Sequence, residues 1–547
     1  MIGALSSVLP GALAAAGPDI PAADLDYRQL SPLLAVAAVA MIGLIVEIVA
    51  PRRFRFVLQA GVAVLGSLVA VGLTVWVYLG LDGVPESRWP ALGGIGAEGA
   101  ISVDGPGVLT WGMLLVFAVM SFLLFAERSH EGGLSAFIGR AADAPGSPGE
   151  AEAVKARLEH TEVFPLAVFA LSGMMLFAVS NDLITMFVAL EVLSLPLYVL
   201  CGVARRRRLI SQEAAMKYFL LGAFASAFFL YGAALAYGYS GSLNLTEIDT
   251  AVSARGEEAP ILLAAIGLLL VGLLFKVGAV PFHSWTPDVY QGAPTPVTAF
   301  MAAATKAAAF IAMMRVLFVA FGGASWDWRP IIWVVAVATM LVGSVVAISQ
   351  TDVKRMLAYS SIAHAGFITV GLSGAYLGNE DGVAITSISS VLFYLLVYGV
   401  STIGAFAVVM VVRDSAGETT HLSKWAGLGR ESPFLAGSFA IFMLSFAGIP
   451  LTAGFIGKWA VFSAAWAGGA WVLVVIGVLC SAIAAYFYVR FIVLMFFTDP
   501  VGEGPTVAVA GVATTVVIAL AVIATVVFGL VPGPILDLAQ NAGVFVR

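Results

Sequence analysis

Charge is scarce in this sequence. Only 11% of its 547 residues are charged, against about 25% in an ordinary soluble protein. Cysteine is nearly absent. Cys201 and Cys480 both lie inside apolar runs, and there is no CxxC. That excludes a disulfide scaffold and a cysteine-based metal or redox centre. No Gly-rich phosphate loop is present, so any redox cofactor belongs on another chain. The net charge of −6 comes with no long basic face, which argues against nucleic acid as a partner. Residues 1–29 hold an Ala-rich stretch without a basic segment before it, which argues against a cleaved signal peptide.

Apolar residues are abundant. They make up 61% of the chain, and the mean hydropathy is +1.00. A soluble enzyme, a disordered tail and a collagen-like fibre are excluded. The apolar runs are continuous over about 20 residues rather than alternating, which also argues against an outer-membrane barrel. Lipid is therefore the main surrounding.

Fourteen spans emerge, at about 30–49, 56–80, 107–126, 162–180, 182–201, 213–239, 260–291, 295–320, 331–350, 354–377, 384–412, 433–466, 470–498 and 506–531. The seventh and twelfth are too long: some 32 residues make about 48 Å of helix, against a hydrocarbon core of about 30 Å. Gly278 and Pro281 interrupt the first; Gly448, Pro450 and Gly454 interrupt the second. Backbone freed at membrane depth must be buried in protein or face water. The two broken spans are five apart, so they run in opposite directions. The expected fold is an all-α polytopic membrane protein of about 14 transmembrane helices. It holds two inverted five-helix repeats, helices 4–8 and 9–13, broken at helices 7 and 12, a pattern that points to a transport path near the midplane. The chain divides into an N-terminal extension (1–29), helices 1–3 (30–126), a cytoplasmic loop (127–161), repeat one (162–320), repeat two (331–498), and helix 14 with the C-terminal stretch (499–547).

Orientation follows from the basic residues. With the N-terminus outside, the inner loops hold 16 of them, including Arg52, Arg53, Arg55, Arg140, Arg157, Arg205 to Arg208, Lys354 and Arg355. The outer side holds five: Arg28, Arg88, Arg255, Arg329 and Arg547. This positive-inside bias places both termini outside.

Six basic residues remain in the spans: Lys217, Lys276, Lys306, Arg315, Lys458 and Arg490. Four of the chain's seven lysines are among them. The choice is chemical, because arginine stays charged while a buried lysine can exchange a proton. Each charge at a span centre costs at least about 2.5–3.5 kcal/mol, so partners or water are expected. Glu191, in ALEVLSLPLYVL, is the acid well inside an apolar run. Lys276 or Lys217 is its natural partner, in a pair whose proton affinity depends on whether the contact is made. Lys306 is flanked by alanines that leave room for water. Lys458 follows the second break. Lys217 has a competing reading as a surface i,i+4 pair with Glu213. His283 follows the first break and could shuttle protons or cap the broken helix. His364 is central in the tenth span, and Ser360, Ser361 and Tyr359 beside it could carry a water chain with a neutral imidazole. Glu47 reads as interfacial, Asp182 as a helix N-cap, and Arg315 and Arg490 as structural. Neither histidine has a second ligand at metal spacing. The result is a lateral row of protonatable groups: Glu191, Lys217, Lys276, Lys306, His364 and Lys458. It suits proton transfer through linked half-channels.

The segment LLFKVGAVPFHSWTPDVYQGAPTPVTAFMAAATKAAAF closely resembles the antiporter-like membrane subunits of respiratory complex I, the NADH-quinone oxidoreductase, and within them the subunit N group. SNDLITMFVALEVLSLPLYVL, SQEAAMKYFLLGAFASAFFLYG and TDVKRMLAYSSIAHAGF agree. The likeness runs from about Leu25 onward and is most specific over residues 172–370. GFIGKW carries Lys458 where the related subunit M would carry a glutamate. Subunit L would add a long lateral helix after span 14. The resemblance implies proton pumping coupled to quinone reduction elsewhere. It assigns the fifth-helix glutamate to Glu191, the seventh-helix lysine to Lys276, the eighth to Lys306 and the twelfth to Lys458, with Lys217 as an additional channel lysine. It also implies NADH, FMN, iron–sulfur clusters and quinone on other subunits and none on this chain. Subunits M, J and K are implied as neighbours, in the bacterial inner (plasma) membrane. The first 24 or so residues and the long 127–160 loop depart from the pattern. Two rivals stand beside this reading. One is a subunit of a multisubunit Mrp-type cation/proton antiporter or of a membrane-bound hydrogenase. The other is an assembly scaffold whose charges are only structural ion pairs.

Overall fold

The computed structural model describes residues 25–81, 93–128, 135–137, 147–156, 158–205, 208–255, 260–374, 385–414, 417–500 and 504–546. The N-terminal extension up to residue 24, residues 129–134, 138–146 and 157 of the 127–160 loop (with Arg140 and Arg157), and Arg88, Arg206, Arg207 and Arg547 lie outside the described residues.

The helices follow the apolar runs closely. The first three are α1 (Tyr27–Val49), α2 (Arg52–Tyr78) and α3 (Gly105–Phe125), with a small hairpin of β1 (Gly94–Gly96) and β2 (Ile101–Val103) before α3. A short α4 (Pro148–Lys155) precedes the first repeat. That repeat holds α5 (Val163–Val179), α6 (Leu183–Cys201), α7 (Arg208–Ser240), a connecting α8 (Leu245–Arg255), then α9 (Pro260–Val277) and α10 (Trp285–Gly292) as the two halves of the broken seventh span. Its last span runs through α11 (Thr295–Phe300), a π-helical turn over Met301–Thr305, α12 (Lys306–Arg315) and a second π turn over Val316–Ala320.

The second repeat holds α13 (Ser325–Ile348), α14 (Val353–Gly371), α15 (Ser387–Val411), a short α16 (Leu428–Glu431), the broken pair α17 (Pro433–Ala447) and α18 (Ala453–Ala467), and α19 (Trp471–Phe497). The chain closes with α20 (Val512–Leu530) and α21 (Gly533–Asn541). A three-stranded patch, β3 (Val412–Asp414), β4 (Gly417–Glu418) and β5 (Thr506–Val507), covers one end. Eleven helices of the described residues are long and apolar enough to cross a membrane. Adding α5, the polar-studded α14 and the split α17–α18 makes all fourteen expected spans helical.

The inverted repeat is visible in the backbone. Asp182 caps α6, and Asp352, 170 positions later, caps α14. At the first cap, Leu183 N donates to Leu243 O and Leu245 N to Asn181 O. At the second, Val353 N donates to Thr420 O and Leu422 N to Thr351 O. Gly173 and Gly343, again 170 apart, each let one helix press on the next. A Cβ there would lie 2.4 Å from Leu193 N or 2.4 Å from Ala363 N. Gly278 and Gly448, also 170 apart, end α9 and α17 in left-handed conformations, with φ of 77° and 81°. Glycine enters that region without the Cβ clash that other residues meet.

Candidate functional site

The first break builds one half of the site. Gly278 stops α9 just after Lys276, and the indole of Trp285 donates to the freed Phe275 carbonyl at 2.9 Å. His283 Nδ1 is buried without a hydrogen-bond partner. Trp285 stacks on Tyr218, with ring centroids 4.6 Å apart and planes 13° from parallel, and Tyr218 meets Tyr198 edge-on. Lys276, 3% exposed, projects among these rings. Its Nζ lies 5.2 Å from the Tyr218 centroid and 5.5 Å from that of Tyr198. The ammonium has no hydrogen-bond partner, so ring faces provide its protein surroundings.

Among the described residues no hydrogen-bonded ion pair joins Glu191 to Lys276 or Lys217, although the Glu191 charge acts on Lys276 through space. Glu191 is half-buried on α6, and its Oε1 has no hydrogen-bond partner. Lys217 is drawn elsewhere, to Asp288 at 2.6 Å and to Glu213 at 2.6 Å. The i,i+4 pair with Glu213 is thus present, and Asp288 adds a contact across the break. Asp288 also accepts from Arg355 at 2.7 Å, and Arg355 reaches Gln291 at 3.1 Å. This acid therefore joins α7 and α10 of the first repeat to α14 of the second.

A denser cluster lies where the last span of the first repeat meets the second. Lys306 follows directly on the π turn, a feature frequent at functional positions. Its Nζ donates to Ser361 O and Ser361 Oγ, both at 2.6 Å. It also lies 5.4 Å from the Tyr398 ring, against whose other neighbour, His364, the centroid distance is 4.8 Å. The serine partners expected for His364 are replaced by tyrosines. Nδ1 bonds Tyr394 OH at 2.8 Å, and Nε2 lies 3.3 Å from Tyr488 OH. Tyr488 in turn bonds Ser360 Oγ. The two serines sit next to each other on α14 but point to different partners, which sequence proximity to His364 does not disclose. With one ring nitrogen protonated, His364 donates on one side and accepts on the other.

Lys458 exploits the second break. Its Nζ donates to Phe446 O and Ala447 O, each at 2.9 Å, and to Ser481 Oγ at 2.7 Å. Those carbonyls end α17 and have no intrahelical donor, and they form the negative end of its dipole. The Phe446 ring lies 5.4 Å from His364, so Lys458 is linked to the His364 cluster through a residue of the break itself.

Other charged groups are held by ion pairs, helix caps or backbone carbonyls. Arg315 is fully buried and makes a two-point contact with Asp104 at 2.8 and 2.9 Å. Val546 N also donates to Asp104. Glu47 accepts from Arg55, Gln59 and Thr161, and Asp182 caps α6 through Ile184 N and Thr185 N. Lys354, counted among the loop cations, is 3% exposed instead; its Nζ donates to Ala293 O at 2.8 Å and Thr295 Oγ1 at 3.1 Å. Sequence reasoning missed Asp288, Tyr394, Tyr488 and Ser481. Asp288 carried a signal, an acid inside an overlong apolar span; the other three carried none.

The family described as NADH:quinone oxidoreductase/Mrp antiporter transmembrane region matches residues 180–484. NADH-quinone oxidoreductase subunit N of a Nocardioides species is 58% identical over 529 residues, covering 96% of this chain and 99% of the relative. That of Acidothermus cellulolyticus is 55% identical, covering 98% and 99%. A chain of respiratory complex I from Thermus thermophilus, solved with bound aureothin, superposes with a TM-score of 0.73 at 34% identity, covering 93% of this chain and 100% of that one. A chain of the Mrp complex from a Dietzia species shares the fold, with a TM-score of 0.74 at 21% identity and coverage of 95% and 97%.

Proposed function

The chain belongs to the antiporter-like subunit N family of NADH-quinone oxidoreductase, and on that premise we propose that it carries protons along Lys217, Lys276, Lys306, His364 and Lys458. Protons enter from the side of the basic loops, near Lys217 and the first break, and load Lys276. Charge motion at Glu191, driven by the neighbouring subunit, alters the proton affinity of Lys276 across the low-dielectric interior. The proton passes by Lys306 and His364 to Lys458 and leaves on the opposite side. His283 borders the intake.

One observation carries this reading. Lys276, Lys306 and Lys458 are buried, and among the described residues none is hydrogen-bonded to a carboxylate. Rings, hydroxyls and helix-end carbonyls hold them instead. A carboxylate in contact favours the charged form, as Glu213 and Asp288 do at Lys217 on the intake side, whereas the partners of these three buried lysines leave them able to take up and release a proton.

The subunit itself does no redox chemistry in this proposal. NADH, FMN, iron–sulfur clusters and quinone are held by other subunits, and the electron transfer there drives the charge motion. Subunits M, J and K are its membrane neighbours, and the complex lies in the plasma membrane with both termini of this chain outside. The test is Lys276→Ala in the assembled complex. Pumping is lost while quinone reduction remains; full pumping by a normally assembled complex overturns the assignment.

A further inference from the structure

At the end of the bundle that carries the basic loops, a cavity of about 370 Å³ opens between α13, α19 and the turn at residues 421–423. Its wall has two characters. Ile348, Phe487 and Leu494 form an apolar strip, and Gln350, His421 and Arg490 line the polar side. Among the described residues, no aspartate or glutamate lines it.

Among the described residues, Arg490 has no carboxylate partner. It lies on α19, seven residues before the helix ends at Phe497, about 10 Å along the axis. It is exposed, and its Nη1 donates to Ile348 O at 3.2 Å. No described carboxylate lies within ion-pair distance of it. Arg315, the other arginine within a span, is held at both ends by Asp104. Near the loop end of α19, an exposed guanidinium can extend to the level of lipid headgroups. The α19 face around it is lipid-facing in character, since Val489, Val493 and Phe497 are exposed. An arginine fork matches a phosphate in a two-point contact.

We propose that this cavity binds an anionic phospholipid, with the Arg490 guanidinium on its phosphate, His421 at the headgroup rim and an acyl chain along the strip from Ile348 to Leu494. A phosphate ligand supplies the counter-charge that the protein lacks, and the membrane supplies the apolar tail that the strip accepts.

The test uses the intact purified complex and phosphatidylglycerol with a photoreactive acyl chain. After irradiation, labelled peptides are mapped. Labelling of the α19 segment around Arg490 is expected to exceed that from a phosphatidylcholine with the same chain by about fivefold or more. It falls by a similar factor in Arg490→Gln. It is unchanged in Arg430→Gln, where an exposed arginine pairs with Asp499 instead. Excess inorganic phosphate leaves it intact. Equal labelling by the two lipids, a measurement that needs no variant, overturns the proposal. So does full labelling in Arg490→Gln, or competition by inorganic phosphate alone, which would mark a site for free anions.

Discussion

Replacing Gly448 with alanine tests whether the second break exists to hold Lys458. Gly448 has φ of 81°, a conformation that costs an L-residue roughly 1–2 kcal/mol. The added Cβ would also lie 2.9 Å from Lys458 Cδ and 3.2 Å from Nζ. The amine must shift, and it now makes three hydrogen bonds, to Phe446 O, Ala447 O and Ser481 Oγ. Losing one bond to a charged group costs about 1.5–3 kcal/mol, so the total is about 2.5–5 kcal/mol. Gly469→Ala is the matched control. Its φ is 80°, and a Cβ there meets nothing within 4 Å, so it bears the backbone cost alone. Both variants are purified in the complex and reconstituted into vesicles. Thermal inactivation and protons pumped per electron are then measured. Gly448→Ala is expected to inactivate faster than Gly469→Ala and to pump fewer protons, while Gly469→Ala pumps normally. Identical behaviour of the two, or wild-type pumping by Gly448→Ala, refutes the reasoning.

Asp288→Asn removes the charge that Lys217 and Arg355 share. These side chains are partly exposed, so stability changes by no more than about 1 kcal/mol; native gels should show full assembly while pumping drops. Tyr394→Phe takes away the hydroxyl on His364 Nδ1, worth about 1 kcal/mol, and stopped-flow proton release should slow with quinone affinity unchanged. Asp104→Asn leaves Arg315 buried without its counter-charge, a loss of about 3–5 kcal/mol. Little of that variant should be recovered in the complex, and the paired change of Arg315→Met with Asp104→Leu should restore yield.

The span pattern and the two breaks were readable because burial in lipid demands continuous apolar runs and because glycine and proline mark where a helix stops. Asp182 was readable as a cap for the same local reason. The partners of the charged groups were not readable, since they depend on how helices distant in sequence rotate against each other. Ser360 and Ser361 illustrate this. Adjacent on α14, they serve Tyr488 and Lys306, and neither bonds His364. Glu191 and Lys217 differ for an electrostatic reason. Asp288 is placed beside Lys217 by the turn after Gly278, and a residue that reads as the end of a span becomes the joint between the repeats. The π turn before Lys306 left no mark in an alanine-rich stretch that reads as plain helix.

In the proposed path Lys276 releases a proton in each transfer and is more than a fixed positive charge. Lys276→Arg separates the two. Arginine keeps the charge and stacks well on the Tyr198 and Tyr218 rings, but it does not give up its proton. Protons pumped per electron by the intact Lys276→Arg complex are therefore expected to fall as far as in Lys276→Ala, with assembly and quinone reduction retained. Pumping at the wild-type ratio by Lys276→Arg would show that a charge alone suffices and would contradict the proton-carrying role.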